Sequence, residues 1–358
     1  MATHQKLLRQ SQKLALTYPW VSKPFIVSAP MKIFSGAELA VAVSSHGGLG
    51  FIGPTAKPSD LENILENARG LLPSTLSDKN QLPIGVGFQT WDADLDIAVA
   101  AIEKFQPCAA WLFAPRNGQE EFNDWIRRIR SVSSPTQIWI QVGTLREAIA
   151  TVQAPKDVRP DVLVIQGTDA GGHGRADDGL GLTTLLPEIS DALGFDSELP
   201  LIAAGGIADG RGVASALGLG AVGVAMGTRF LASSEANIKA GYQNEIIRAS
   251  DGAHSTVRTT LYNELRGTIG WPEGYNPRTI INQSWIEHKA GVDFRTLQQR
   301  HDEATKQGDQ AWGPDGRLAT YAGTCIGLIH EVKSASAILE DSRQQAIDIM
   351  KSMAKLYS

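Results

Sequence analysis

His173 is the residue of this chain whose setting most invites chemistry. It stands among Gly167, Gly171, Gly172 and Gly174, directly after the apolar run from Asp161 to Gln166. Imidazole is the side chain whose unperturbed titration falls near neutral pH, so a histidine on a glycine-rich turn beside a ligand can act as a general base. Glycine is used where the backbone must take positive φ or lie against something flat or charged. A lone histidine in a turn can equally cap a helix, and its neighbours have to separate the two readings. Two further glycine strings supply such neighbours: Ala204, Gly205, Gly206 and Met226, Gly227, Thr228. Small residues there let backbone N–H groups face a phosphate, with the Thr228 hydroxyl as a further donor and Arg229 as a possible charge.

Those residues need elements to hold them. Short apolar runs at Phe25–Ala29, Leu49–Ile52, Ile84–Phe88, Cys108–Phe113, Gln137–Val142, Asp161–Gln166, Leu201–Ala204 and Val222–Met226 read as strands buried on both faces. Between them lie segments with apolar residues at helical spacing, such as Leu95, Ala98, Val99, Ile102 and Phe105, or Phe122, Trp125, Ile126, Ile129 and Val132. Strands alternating with helices in this number predict an α/β fold, a TIM (β/α)8 barrel, in preference to an open sheet. In such barrels the chemistry sits on loops at the C-terminal ends of the strands. Phosphate is commonly held after strands seven and eight, where both glycine strings fall.

Composition closes off several classes. The chain has 358 residues, 42% hydrophobic, with a formal net charge of -5 and a pI of about 5.8. No basic run offers a nucleic-acid surface, and no apolar segment reaches the roughly 18 residues of a membrane span. Cys108 and Cys325 each lie in an apolar run and read as reduced, buried thiols of a cytoplasmic protein. His4, His46, His254, His288, His301 and His330 are scattered without ligand spacing, so no metal is expected. Residues 1–37 lack Asp and Glu while carrying Lys6, Arg9 and Lys13, a weak match to an organellar presequence; a short helix plugging the base of the fold is the competing expectation. Gly48–Gly53 and Gly218–Gly223 both fit G-x-G-x-x-G, but each runs from helix into strand. The dinucleotide fingerprint requires the opposite order, so both read as tight turns.

Taken together, Ser28 to Met31, Gln166 to His173, Leu185 to Glu188, Ala204 to Asp209 and Met226 to Phe230 resemble the nitronate monooxygenase family, formerly 2-nitropropane dioxygenases. The resemblance spans residues 20 to 235 in motif order and resumes at Tyr321–Ile329. It implies an FMN-containing barrel with the flavin phosphate on Gly205, Gly206, Gly227 and Thr228, flanked by Ala204 and Met226 and by Gly171 and Gly172. The pyrimidine end of the flavin is expected near Pro30, Met31 and Lys32, with Gln89, Gln141 and Gln166 at strand ends orienting its polar rim. Lys32 is expected to place positive charge near flavin N1 and the C2 carbonyl. His173 corresponds to the family's active-site histidine, which removes a proton from a nitroalkane or orients a nitronate. The implied reaction consumes nitronate and O2 and yields a carbonyl compound and nitrite.

Beyond residue 232 the pattern departs from that frame. The expected organisation is an FMN-binding barrel over residues 1–232, a mostly helical and loop segment over 233–320 acting as lid or substrate wall, and a C-terminal return over 321–358 that closes the barrel. Within the middle segment, residues 266–316 read as long and polar, with Trp271, Trp285 and Trp312 available for a substrate cavity, an oligomer contact or a small satellite core. Flavin-dependent enoyl reductases and NADH:quinone reductases share much of the frame. An NAD(P)H-dependent flavin reductase is therefore the alternative activity, and a non-redox barrel binding a phosphorylated metabolite is the distant one. Oligomeric state leaves no trace in the sequence.

Overall fold

The β-branched and aromatic runs form strands because a position buried on both faces favours side chains that pack without polar groups. The computed structural model describes residues 2–76 and 81–357. Eight parallel strands close into a barrel: β1 (Phe25–Ser28), β2 (Leu49–Ile52), β3 (Leu82–Gln89), β4 (Pro107–Phe113), β5 (Gln137–Val142), β6 (Val162–Gln166), β8 (Leu201–Ala204) and β9 (Gly223–Met226). β9 returns onto β1 in the register Phe25–Gly223 to Ser28–Met226. The fold is a TIM barrel, as the alternating pattern predicts. Both G-x-G-x-x-G matches enter β2 and β9 from a helix, as expected of tight turns.

Large side chains fill the barrel interior. Trp111 on β4 and Trp139 on β5 stack with ring centroids 5.6 Å apart, and Phe51 on β2 meets both. Tyr18 seals the N-terminal end from below, fully buried, with its hydroxyl accepting a 2.8 Å bond from Trp139 Nε1. The helix before it, Ala2–Thr17, is fastened to the barrel by Lys6 Nζ donating to Ser190 O at 2.8 Å and Gln10 Nε2 to Leu199 O at 2.7 Å. The N-terminal residues thus plug the base of the barrel, the second of the two expectations for this segment. Cys108 and Cys325 are free and buried. Among the described residues no helix is long and apolar enough to cross a membrane.

Two departures from a plain barrel shape the site. The glycine stretch after β6 is not all turn: Gly172–Arg175 forms a strand, β7, which pairs antiparallel with β11 (Tyr275–Ile280). β11 pairs in turn with β10 (Thr256–Arg258), giving a three-stranded sheet of order β10-β11-β7. The polar stretch 266–316 is therefore more ordered than its composition implies, holding β11 and helices at Gln283–Lys289 and Phe294–Ala304. Through Leu297 it shares a small core with Leu261, Tyr262 and Leu265 of the helix just before it. The second departure is the position of the eighth helix. Only one turn, Thr228–Leu231, follows β9 directly; the final helix Ala335–Leu356 packs on Gly210–Gly218 and Ala37–Ser45 and completes the outer ring.

Candidate active site

The C-terminal ends of the strands bring the glycine strings together. Met226 O accepts from Ala29 N at 3.0 Å and Ala204 O from Gly167 N at 2.9 Å, so the loops after β1, β6, β8 and β9 share one rim. Gly205 and Gly206 take φ of +102° and +75°, a region L side chains avoid. A Cβ at Gly205 would lie 2.8 Å from Gly167 O, and one at Gly206 2.9 Å from Asp169 Cβ. Gly227 is open by contrast, its nearest neighbours Ala29 Cβ and Met31 Sδ being 3.8 Å from a built Cβ. Among the described residues, nothing accepts from the N–H groups of Gly205, Gly206 or Gly227. The three glycines are half-buried, and unpaired N–H groups on loops leading into helices suit a phosphate. Thr228, nearly buried, is next to them, its hydroxyl accepting from Gly323 N at 3.0 Å. Gly171 packs against the backbone of Ala322 and Gly323, which brings the last motif of the resemblance to the same rim.

Arg229 does not join this cradle. It is buried on the other side of its one-turn helix, where Nη1 donates to Glu331 O at 3.0 Å, and burial lowers its pKa. A helix of one turn points neighbouring side chains about 100° apart, so Thr228 and Arg229 cannot face the same ligand.

The remaining expected ligands take distinct positions. Pro30 and Met31 lie over Gly87 and Gly53, whose missing side chains make room for them. Lys32 Nζ forms a 2.7 Å ion pair with Asp92, both about two-fifths exposed, at the edge of a cavity of about 120 Å³ also lined by Gly53, Gly87 and Gln89. Ile33, next in sequence, has φ of +62°; such strain in a branched residue is usual at ligand clamps. Gln89, at the end of β3, carries a buried Oε1 with no partner, which is the kind of orphaned acceptor that an N–H edge of a flavin would satisfy. Gln141 is 8% exposed at the top of the interior, its Oε1 accepting from Trp111 Nε1 at 2.9 Å. Gln166 turns its amide onto His173 O at 3.3 Å, so it shapes the β6-to-β7 connection. Free N–H groups in the glycine cradle and the orphaned Gln89 oxygen together fit a flavin mononucleotide: phosphate at one side of the rim, polar ring edge at the other.

His173 sits on β7 opposite Pro277 of β11. Its ring stacks on Trp271 with centroids 3.5 Å apart and planes 4° from parallel, and Tyr321 lies 5.9 Å away. Nε2 is 3.1 Å from Asn263 Oδ1. Burial pushes its pKa down to about 3; the Asn263 bond opposes that shift, while Arg258, Arg266 and Lys32 add to it. The imidazole is therefore neutral over the ordinary pH range.

The strand itself is held by guanidinium groups. Arg258 on β10 donates to Gly172 O at 3.1 Å, Ala170 O at 2.8 Å and Thr168 O at 3.1 Å, and also to the carbonyls of Gly174 and Asn276. Arg278 on β11 adds two longer bonds to Thr168 O. Burial, chiefly, lowers the Arg258 pKa to about 10, and the Arg278 charge adds to it. Asp169 shares this corner, its carboxylate accepting from Thr324 Oγ1 at 3.0 Å. Among the described residues no cluster of His, Cys, Asp or Glu could hold a metal ion.

Asn263, Arg258, Arg278 and the stacking role of Trp271 escape sequence reasoning. Asn263 lies 90 residues from His173, and only the antiparallel pairing of β7, β11 and β10 brings them together. No motif spacing encodes that approach.

Known proteins place this chain clearly. A family model described as nitronate monooxygenase matches residues 129–341. The chain is 57% identical over 346 residues to a Metarhizium robertsii protein named nitronate monooxygenase npaC, covering 96% of each. It is 34% identical over 376 residues to a nitronate monooxygenase of Neurospora crassa, covering 97% of each. Among solved structures, FabK from Thermotoga maritima superposes with a TM-score of 0.74 at 25% identity, over 96% of this chain and 98% of that one.

Proposed function

The chain belongs to the nitronate monooxygenase family, whose members are flavin-dependent oxidoreductases, and on that premise we propose that it uses FMN and O2 to convert alkyl nitronates to carbonyl compounds and nitrite. The observation that carries this reading is the setting of His173: a neutral imidazole at the barrel mouth, stacked on Trp271, with Arg258, Arg266 and Lys32 as the charges that disfavour its protonation. Although Asp92 pairs with Lys32, the charges that bear on His173 are cationic, and such a setting attracts an anion, as a nitronate is.

In this reading the glycine cradle of Gly205, Gly206, Gly227 and Thr228 binds the FMN phosphate, while Gln89, Gln141 and the loop of Pro30, Met31 and Lys32 orient its ring. A bound flavin would supply electron acceptance from the nitronate and delivery to oxygen. The protein's own work is binding, orientation and proton placement. Residues 233–320 supply the substrate-side wall, through Trp271 and Asn263.

His173 also discriminates between substrates. A conjugate acid depressed from 6.5 to about 3 is a weaker base than free imidazole by about 5 kcal/mol of driving force. Removing a proton from a neutral nitroalkane is correspondingly hard, whereas a nitronate arrives already ionised and favours protonation of the imidazole beside it. The preferred substrate is therefore the nitronate, with the neutral nitroalkane turned over slowly. The test is an anaerobic absorbance titration of the purified protein with ethyl nitronate in one cuvette and NADH in another. Bleaching of the flavin by nitronate alone is expected; bleaching by NADH alone would move the assignment to a flavin reductase.

A further inference from the structure

We infer that Asn263 is a positioning residue for His173: its carboxamide oxygen keeps a proton on Nε2, so Nδ1 is the nitrogen that exchanges a proton during turnover. The inference rests on the role proposed above for His173, but its structural part can be tested separately.

Two contacts fix the imidazole, and they do different things. The Trp271 stack, 3.5 Å and 4°, fixes the plane of the ring. It does not choose between the two orientations related by a half-turn about χ2, because both keep the ring in the same plane. The half-turn exchanges Nδ1 with Cδ2 and Nε2 with Cε1. Asn263 Oδ1, 3.1 Å from Nε2, breaks that equivalence, since the flipped ring would set a carbon against a buried amide oxygen. An amide oxygen only accepts, so the facing nitrogen must carry a proton. That holds for the neutral and the charged ring alike, and Nδ1 is left as the titrating atom. Nδ1 has no protein partner among the described residues.

Asn263 is built for a fixed position. It is 5% exposed, on the short helix Leu261–Leu265, and its backbone carbonyl, not the carboxamide, accepts from Thr268 N at 2.9 Å and Thr268 Oγ1 at 3.3 Å, which anchors the main chain that carries the side chain. The charged or titratable groups facing His173 are Arg258 of β10, Arg266 after the helix, Lys32 of the β1 loop and Tyr321. The three cations donate but do not accept, and the Tyr321 hydroxyl already accepts from Arg266 Nη1. Asn263 is thus the acceptor that supports a protonated ring. A neutral carbon acid would give its proton to Nδ1, and a nitronate would be bound with uptake of a proton onto Nδ1.

The experiment is ¹⁵N NMR of histidine-labelled holoprotein, with the His173 signals identified by their loss in His173→Asn. Wild type is expected to show the Nε2–H tautomer at neutral pH. Asn263→Ala is expected to lose that bias, with kcat for neutral nitroalkane falling roughly tenfold, the scale of one hydrogen bond, and KM little changed. Asn263→Asp, which puts a carboxylate against Nε2–H, is expected to raise the His173 pKa by at least one unit and to move the pH profile by the same amount. An Nδ1–H tautomer in wild type overturns the inference, and so does an unchanged tautomer and pH profile in both variants. Should Asn263→Ala not fold, the wild-type spectrum and the near-isosteric Asn263→Asp still decide. If the tautomer follows Asn263 while turnover of nitroalkane and nitronate is unaffected, the positioning contact stands and His173 leaves the reaction.

Discussion

Replacing His173 with Asn should flatten the acid dependence of stability. In the folded protein the His173 pKa is pushed from 6.5 to about 3, first by burial and further by Arg258, Arg266 and Lys32. In the unfolded chain it returns to its ordinary value, so between these limits the unfolded state binds a proton that the folded state refuses. The contribution to stability is fully present above pH 6.5 and is lost as pH falls toward 3. At pH 5 the linkage relation gives a loss of about 2 kcal/mol relative to pH 8. With an unfolding entropy of about 2.1 cal/mol/K per residue over 358 residues, that corresponds to roughly 3 °C. Asn keeps a polar group in the position but cannot titrate. The assay is thermal unfolding of wild type and His173→Asn at pH 8 and pH 5, followed by circular dichroism. The wild type should lose about 3 °C more than the variant on acidification. Equal losses would mean that folded His173 protonates near its ordinary pKa, and the argument from burial beside cations would be wrong.

Three further outcomes are expected. His173→Asn should retain FMN yet slow neutral nitroalkane far more than nitronate in steady-state kinetics; equal rates with the two substrates would remove it from the role of base. Gly206→Ala places a Cβ 2.9 Å from Asp169 Cβ at a φ of +75°, a conformation costing about 1–2 kcal/mol in an L residue, so FMN affinity by equilibrium dialysis should drop at least tenfold. Unchanged affinity would put the phosphate elsewhere. Arg258→Leu removes a donor from five carbonyls of the 168–174 and 276 backbone; Thr168 O keeps its bonds from Arg278, and each buried acceptor left unpaired costs about 1–3 kcal/mol, so the melting temperature should fall. A melting temperature within 1 °C of wild type would show that water replaces the guanidinium at little cost.

The barrel was legible in the sequence because its signal is local. A run such as Phe25 to Ser28, buried at every position, announces a two-sided strand, and the helices between carry their own spacing. The glycines of the cradle were legible for a related reason. Residues such as Gly205 and Gly206 take backbone angles that the amino-acid type alone makes affordable. Even the plug at the barrel base could be weighed from sequence, although its anchors on Ser190 and Leu199 could not.

What surrounds His173 was decided by tertiary structure. β7 lies in a stretch whose glycines read as a turn; it becomes a strand because β11 offers it a partner about a hundred residues later. That pairing delivers Asn263, Trp271 and Arg258 to one imidazole, and a slip of one residue would turn His173 to the opposite face. Arg229 gives the converse lesson. The sequence sets it beside Thr228 in the glycine string expected to hold a phosphate, and the phase of a single helical turn sends it into the protein instead. Residue type and local period are properties of a segment, so the sequence by itself determined the barrel and singled out His173 as the candidate group. The pKa, tautomer and orientation of that group depend on burial and on partners distant in the chain, and those exist only once the fold has closed.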